Sequence, residues 1–145
     1  MTVIAWDGET LASDRMATAG SYSKGTVTKI HRWKDGICGI SGCMETGMRL
    51  ITWLQNGADP EQFPMIDEEY SAEFLVIYND GRVAYYERSA TPLWFDNTFH
   101  AIGCGKDYAL TAMHLGKTAE EAVAIASDLN IYCGNGIDTL ELQCA

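Results

Sequence analysis

The chain has 145 residues, enough for one domain with one hydrophobic core and too few for two. Its 47% apolar and 21% charged residues are those of a soluble globular domain, and its apolar runs are too short to cross a bilayer, which excludes a membrane span. Ten Lys and Arg stand against 20 Asp and Glu, and the net charge of −10 repels a phosphate backbone, which excludes nucleic acid as an expected partner.

The amino terminus, MTVIAWDGETL, has no basic residue before its short apolar stretch and carries Asp7, unlike a secretory signal, so the cytoplasm is the expected location. Asp7-Gly8, Asp35-Gly36 and Asp80-Gly81 each separate two β-prone segments, and Asp-Gly suits a two-residue hairpin loop because both residues can take positive φ. The predicted hairpins pair Thr2 to Trp6 with Thr10 to Ser13, Thr26 to Trp33 with Ile37 to Ser41, and Phe74 to Tyr78 with Arg82 to Glu87. Between the second and third, Met44, Met48, Ile51 and Leu54 recur at helical spacing and predict a helix over Met44 to Gln55, ended near Asn56-Gly57. Gly57 to Ser71, with Pro60, Pro64 and several acids, reads as loop. A strand near Phe99 to Gly103 precedes a helix over Lys106 to Leu115, with Gly116 as its stop. Thr118 and Glu121 form a capping box for a last helix whose Ala122, Ile125, Ala126 and Leu129 line one face, and Ile137 to Leu142 alternates like a final strand. This order predicts an α+β domain with helices packed outside antiparallel sheets.

Five cysteines (Cys38, Cys43, Cys104, Cys133 and Cys144) form no Cys-x-x-Cys pair and no zinc-finger spacing, so they read as reduced thiols. Thr2 carries a different chemistry. A threonine hydroxyl is a poor nucleophile unless a base takes its proton. In a chain that starts at threonine, the α-amino group, with a pKa of about 7.7–8.0, can be that base. An initiator methionine before so small a residue is expected to be removed, which would expose Thr2.

Thr2-Val-Ile-Ala, Ala12-Ser-Asp14-Arg, Ala17-Thr18-Ala-Gly20, Val27-Thr-Lys29-Ile and Gly39-Ile-Ser-Gly42 resemble, in order and spacing, the amino-terminal half of proteasome β subunits and of the HslV peptidase. Ala101 to Ala109, Thr118-Ala-Glu-Glu-Ala and Ile125 to Tyr132 resemble the second half of HslV. The resemblance spans most of residues 1–145 as one N-terminal-nucleophile hydrolase domain. It implies a four-layer αββα sandwich of two antiparallel sheets, here with one of the two helices after Gly39 shortened or missing.

The resemblance makes Thr2 the nucleophile of a threonine-type peptidase, Lys29 the active-site lysine and Asp14 the carboxylate that holds it, on an adjacent strand. It makes Gly39 an oxyanion donor whose missing Cβ admits substrate, and Thr18 and Ser41 the groups that bind an extended peptide. Cys104 stands where the family usually has a serine of the threonine's proton network. Ser127, Asn130 and Cys133 match a helix-end loop that binds a monovalent cation such as sodium, through carbonyls whatever the side chains. The implied partners are a peptide substrate, copies of the chain in a homo-oligomeric ring or smaller oligomer, and, by analogy with HslV, an ATP-dependent unfoldase.

Three other readings compete. Cys104, with His100 before it on the same strand and face, could be a cysteine nucleophile, although no acid orients the histidine. Gly103-Cys-Gly105 after a strand suggests a phosphate-binding turn, but Tyr108 occupies the third glycine position. The chain could also be an inactive scaffold or binding protein that uses the same groove for a peptide or small molecule.

Overall fold

The computed structural model describes residues 1–20 and 22–143, so Cys144 lies outside the described residues. In chain order these residues form strands β1 (Ile4–Trp6), β2 (Thr10–Asp14), β3 (Met16–Ala19), β4 (Tyr22–Thr26), β5 (Ile30–Trp33) and β6 (Gly36–Gly42), then helix α1 (Met44–Gln55). Strands β7 (Ala72–Tyr78), β8 (Val83–Tyr86), β9 (Leu93–Phe95) and β10 (His100–Ile102) follow, then helices α2 (Lys106–His114) and α3 (Ala119–Leu129), and strand β11 (Ile137–Glu141).

One sheet has the order β10-β1-β2-β11, a second β5-β6-β7-β8-β9, and β3 with β4 forms a separate ribbon. Every described pairing is antiparallel. Strand alternation divides the apolar residues between two faces of each sheet. Ile4, Trp6 and Leu11 of the first sheet meet Ile37, Leu75, Ile77 and Val83 of the second in a central core. On the outer face of the first sheet, Val3, Ala5 and Ala12 pack on Ala109, Met113, Ala122, Val123 and Ala126 of α2 and α3. On the outer face of the second, Cys38, Ile40, Phe74 and Val76 pack on Leu50, Ile51, Trp53 and Leu54 of α1. The layers therefore run helices, sheet, sheet, helix, as an αββα sandwich.

The three expected hairpins and α1 form where the sequence placed them, and Thr118 and Glu121 close the capping box of α3. The expected pair of helices after β6 is reduced to α1. Pro60–Gln62 and Glu68–Tyr70 make single 3-10 turns, and Phe63 and Ile66 fold that segment back onto the α1 core.

Three local expectations need correction. Thr26 to Trp33 is not one strand, because β4 ends at Thr26 and β5 starts at Ile30. No Asp-Gly turn uses positive φ at both residues. Gly8 and Gly81 alone take it, and Gly36 is needed because a Cβ there would run into the Ile77 carbonyl. The β3–β4 ribbon and β9 were not foreseen: YSKGT is polar and mostly exposed, and β9 is three residues long. Among the described residues no helix is long and apolar enough to cross a membrane.

Candidate active site

Thr2 leads into β1 at the end of the central core and is 2% exposed, while Met1 before it is 48% exposed. Its carbonyl accepts from Gly105 N–H (3.1 Å), which fixes the turn between β10 and α2 over it. Gly103 in that turn has φ +95°, and a Cβ there would strike the Thr2 carbonyl.

Asp14 ends β2, and Lys29 immediately precedes β5. They do not lie on adjacent strands as expected. β2 and β5 belong to different sheets, and the pair bridges the gap between the layers, Lys29 Nζ to Asp14 Oδ1 at 2.8 Å. Both are buried, at 1% and 0% side-chain exposure. A buried ion pair persists only where its remaining hydrogen-bonding capacity is met. Here Oδ1 also accepts from Val3 N–H (3.1 Å), and Oδ2 from Met16 N–H (3.2 Å) and Gly134 N–H (3.0 Å). Lys29 donates further to the Met1 carbonyl (3.1 Å), so the ammonium sits on the peptide bond that joins Met1 to Thr2.

Gly39 lies in β6 beneath the site, but its expected role is not what its backbone offers. Ile40 N–H donates to Lys29 O (3.0 Å) and Cys43 N–H to Ser71 O (3.1 Å). Because successive N–H groups of a strand alternate sides, Gly39 N–H turns toward Leu75 of β7, its partner in the ladder, and is not a free oxyanion donor. Its missing Cβ serves packing between the sheets: a Cβ there would lie 2.9 Å from Ile4 Cδ1 and 3.2 Å from Ile30 Cγ2.

Ser41, two residues on, points to the same inter-sheet face and is buried. It lines an open cleft of about 300 Å³ with Glu68, Glu73, Tyr85 and Glu87. Tyr85 Oη contacts both Glu73 (3.0 Å) and Glu87 (3.2 Å), and burial together with these carboxylates raises its pKa. Thr18 is in β3, whose one partner among the described strands is β4, leaving an edge where an extended peptide could pair.

Cys104 follows β10 in the turn over Thr2 and is exposed. His100 is not its partner. It lies within β10, stacks on Phe95 (4.9 Å) and has Nε2 on Asn97 O (2.7 Å), with its pKa lowered chiefly by burial. Cys104 instead meets Cys133 (Sγ to Sγ 3.9 Å), and Asn130 Nδ2 donates to Cys104 O (3.3 Å).

Of the residues read as a cation site, Ser127 Oγ is buried without a protein partner. Asn130 Oδ1 already accepts from Tyr132 N–H, Asn130 O accepts from Cys133 N–H, and Cys133 offers sulfur, a poor ligand for a hard cation. The cation reading rests on backbone carbonyls and not on these side chains, and no catalytic step is derived through sodium. The structure thus brings together Thr2, Asp14, Lys29 and Cys104 around one turn. The backbone donors of Val3, Met16, Gly105 and Gly134 had no signal in the side-chain pattern.

No family model matches the chain. HslV of Trypanosoma brucei superposes with a TM-score of 0.72 at 20% identity, over 97% of this chain and 98% of that one. The chain has the fold of HslV. BPH of Thiobacillus denitrificans, in complex with epoxomicin, superposes on the same HslV-like architecture with a TM-score of 0.71 at 18% identity, over 99% and 100% of the two chains. A curated hydroxyacylglutathione hydrolase of Brucella anthropi is 31% identical over 55 residues. The chain spans about a fifth of that relative's length (21%), and the match carries no functional argument beside the full-length HslV-type superposition.

Proposed function

We propose that the chain is an N-terminal threonine hydrolase of peptide or amide bonds, competent once Thr2 carries a free α-amine. The observation that supports it is the buried Lys29 ammonium, held at once by Asp14 and by the carbonyl of the peptide bond preceding Thr2. When that bond is removed, the ammonium loses the Met1 acceptor and is left beside the new amine. A fixed cation there favours the neutral amine and the deprotonated hydroxyl.

The amine then takes the Thr2 hydroxyl proton as Oγ1 attacks the substrate carbonyl, and the same proton passes to the departing amine as the C–N bond breaks. An ester on Thr2 remains. Water, deprotonated by the α-amine, attacks that ester and restores Oγ1–H. A homo-oligomer working on a peptide substrate in the cytoplasm belongs to this proposal, with sedimentation velocity as the check on assembly.

The test begins with intact mass, to establish the fraction of chains that start at Thr2, followed by hydrolysis of fluorogenic peptide amides. Thr2→Ala is expected to abolish turnover while the thermal melt stays that of the folded protein; hydrolysis equal to wild type overturns the reading. A second reading, a non-hydrolytic binding protein, is favoured by the Met1 contact itself, because the capped lysine already has two acceptors. Full retention of Met1 in purified protein, with no hydrolysis, is the outcome that selects it.

A further inference from the structure

Two thiols lie beside the turn over Thr2. Cys104 is exposed, whereas Cys133 is 3% exposed, and their sulfurs are 3.9 Å apart. A disulfide needs about 2.05 Å, so closure requires a sulfur displacement of roughly 2 Å, the scale of a side-chain rotation. The two backbones are already tied by Asn130 Nδ2, which donates to Cys104 O at 3.3 Å and approaches Cys104 Sγ at 3.7 Å. Gly105 opens the space between them, since a Cβ there would lie 3.1 Å from Cys133 Sγ and 2.8 Å from Val3 Cβ.

We propose that Cys104 and Cys133 are a reversible dithiol–disulfide site that responds to peroxide and adjusts the Thr2 site. Cys104, which solvent reaches, is the thiol oxidised first. Its sulfur attacks the peroxide, the O–O bond breaks, and Cys104 becomes a sulfenic acid with release of water. Cys133 Sγ then attacks Cys104 Sγ, the S–O bond breaks, and the hydroxyl leaves as a second water with the Cys133 proton. In sum two thiols and one hydrogen peroxide give one disulfide and two waters, and a dithiol reductant reverses it. Burial, with Cys104 and Asp14 nearby, pushes the Cys133 thiol up to about 12, so Cys133 is not the thiol that meets peroxide first; its place 3.9 Å from Cys104 makes it the resolving partner.

Each cysteine belongs to a segment that holds one part of the site. Cys104 is in the turn whose Gly105 N–H fixes the Thr2 carbonyl, and Cys133 precedes Gly134, whose N–H holds Asp14 Oδ2. A bond between them pulls the nucleophile's support against the lysine's support. That consequence rests on the hydrolase reading; the disulfide itself does not.

The test treats the folded protein with hydrogen peroxide, blocks remaining thiols, digests it and reads the peptides by mass spectrometry. The expected result is a loss of about 2 Da and a Cys104–Cys133 cross-linked peptide that dithiothreitol removes. Cys133→Ser is expected to stop at the Cys104 sulfenic acid, and Cys104→Ser to lose the cross-link. Oxidation of wild-type Cys104 to sulfinic acid with no cross-linked peptide overturns the pair, whether or not Thr2 is active. For processed, active protein, a reversible loss of turnover of about tenfold or more is expected on cross-linking. Cross-linked protein that hydrolyses as fast as reduced protein overturns the regulatory role alone.

Discussion

At one corner of the site, the buried Asp14 carboxylate accepts from Val3, Met16 and Gly134 backbone N–H groups and from buried Lys29, which bridges the two sheets. At the second corner, exposed Cys104 in the turn over Thr2 meets buried Cys133, which follows α3, sulfur to sulfur. The first corner is fixed by charge, and removing either member leaves a buried group without its partner. The second is held by weak contacts, the 3.9 Å approach of the two sulfurs and the Asn130 amide on Cys104. The two corners are joined through the chain, since Cys133 precedes Gly134, whose N–H holds Asp14 Oδ2, and Thr2 adjoins both.

The largest effect should come from breaking the first corner. Asp14→Asn leaves the Lys29 charge buried without a counter-ion and is expected to cost about 3–5 kcal/mol in chemical denaturation. Lys29→Met should cost less, because Asp14 keeps its three backbone donors; equal losses would mean that the ion pair, not the backbone donors, holds the corner. Gly39→Ala pushes a methyl group against Ile4 between the sheets and is expected to cost about 1–3 kcal/mol. Unchanged stability there would place substrate, not packing, in the space beside Gly39. Thr118→Ala, remote from both corners, removes the α3 cap and should cost about 1 kcal/mol.

The same cap gives a pH effect. Thr118 hydrogen bonds hold the Glu121 carboxyl below its ordinary range, so its stabilisation is present above the unfolded pKa and is lost as pH falls through the lower folded value. Glu121→Gln, which removes the titrating carboxyl, should flatten that part of the stability profile. The smallest effect is expected at the second corner, where Cys104→Ser should change stability by less than about 0.5 kcal/mol in the thermal melt. A large loss there would show the thiol corner to be as rigid as the charged one.

These contrasts match what could be read beforehand. Helical spacing located α1 and the Asp-Gly dipeptides located the three hairpins, because both signals are local to the segment they shape. The resemblance brought out Thr2, Asp14 and Lys29 because their side chains carry the chemistry. What stayed hidden depends on pairing across distance. Asp14 and Lys29 were assigned to neighbouring strands, since nothing in either segment tells one sheet from the other. Gly39 was read as a donor because ladder parity follows from where β5 and β7 dock, and Cys104 and Cys133, 29 positions apart, carry no mark of contact.

The central claim is that Thr2 is the nucleophile. Epoxomicin, found in complex with the Thiobacillus denitrificans protein of the same fold, is the direct probe. After incubation with protein shown by intact mass to begin at Thr2, the account predicts one adduct per chain, located on Thr2 and absent from Thr2→Ala. No adduct on such protein, or an adduct on Cys104, would contradict it.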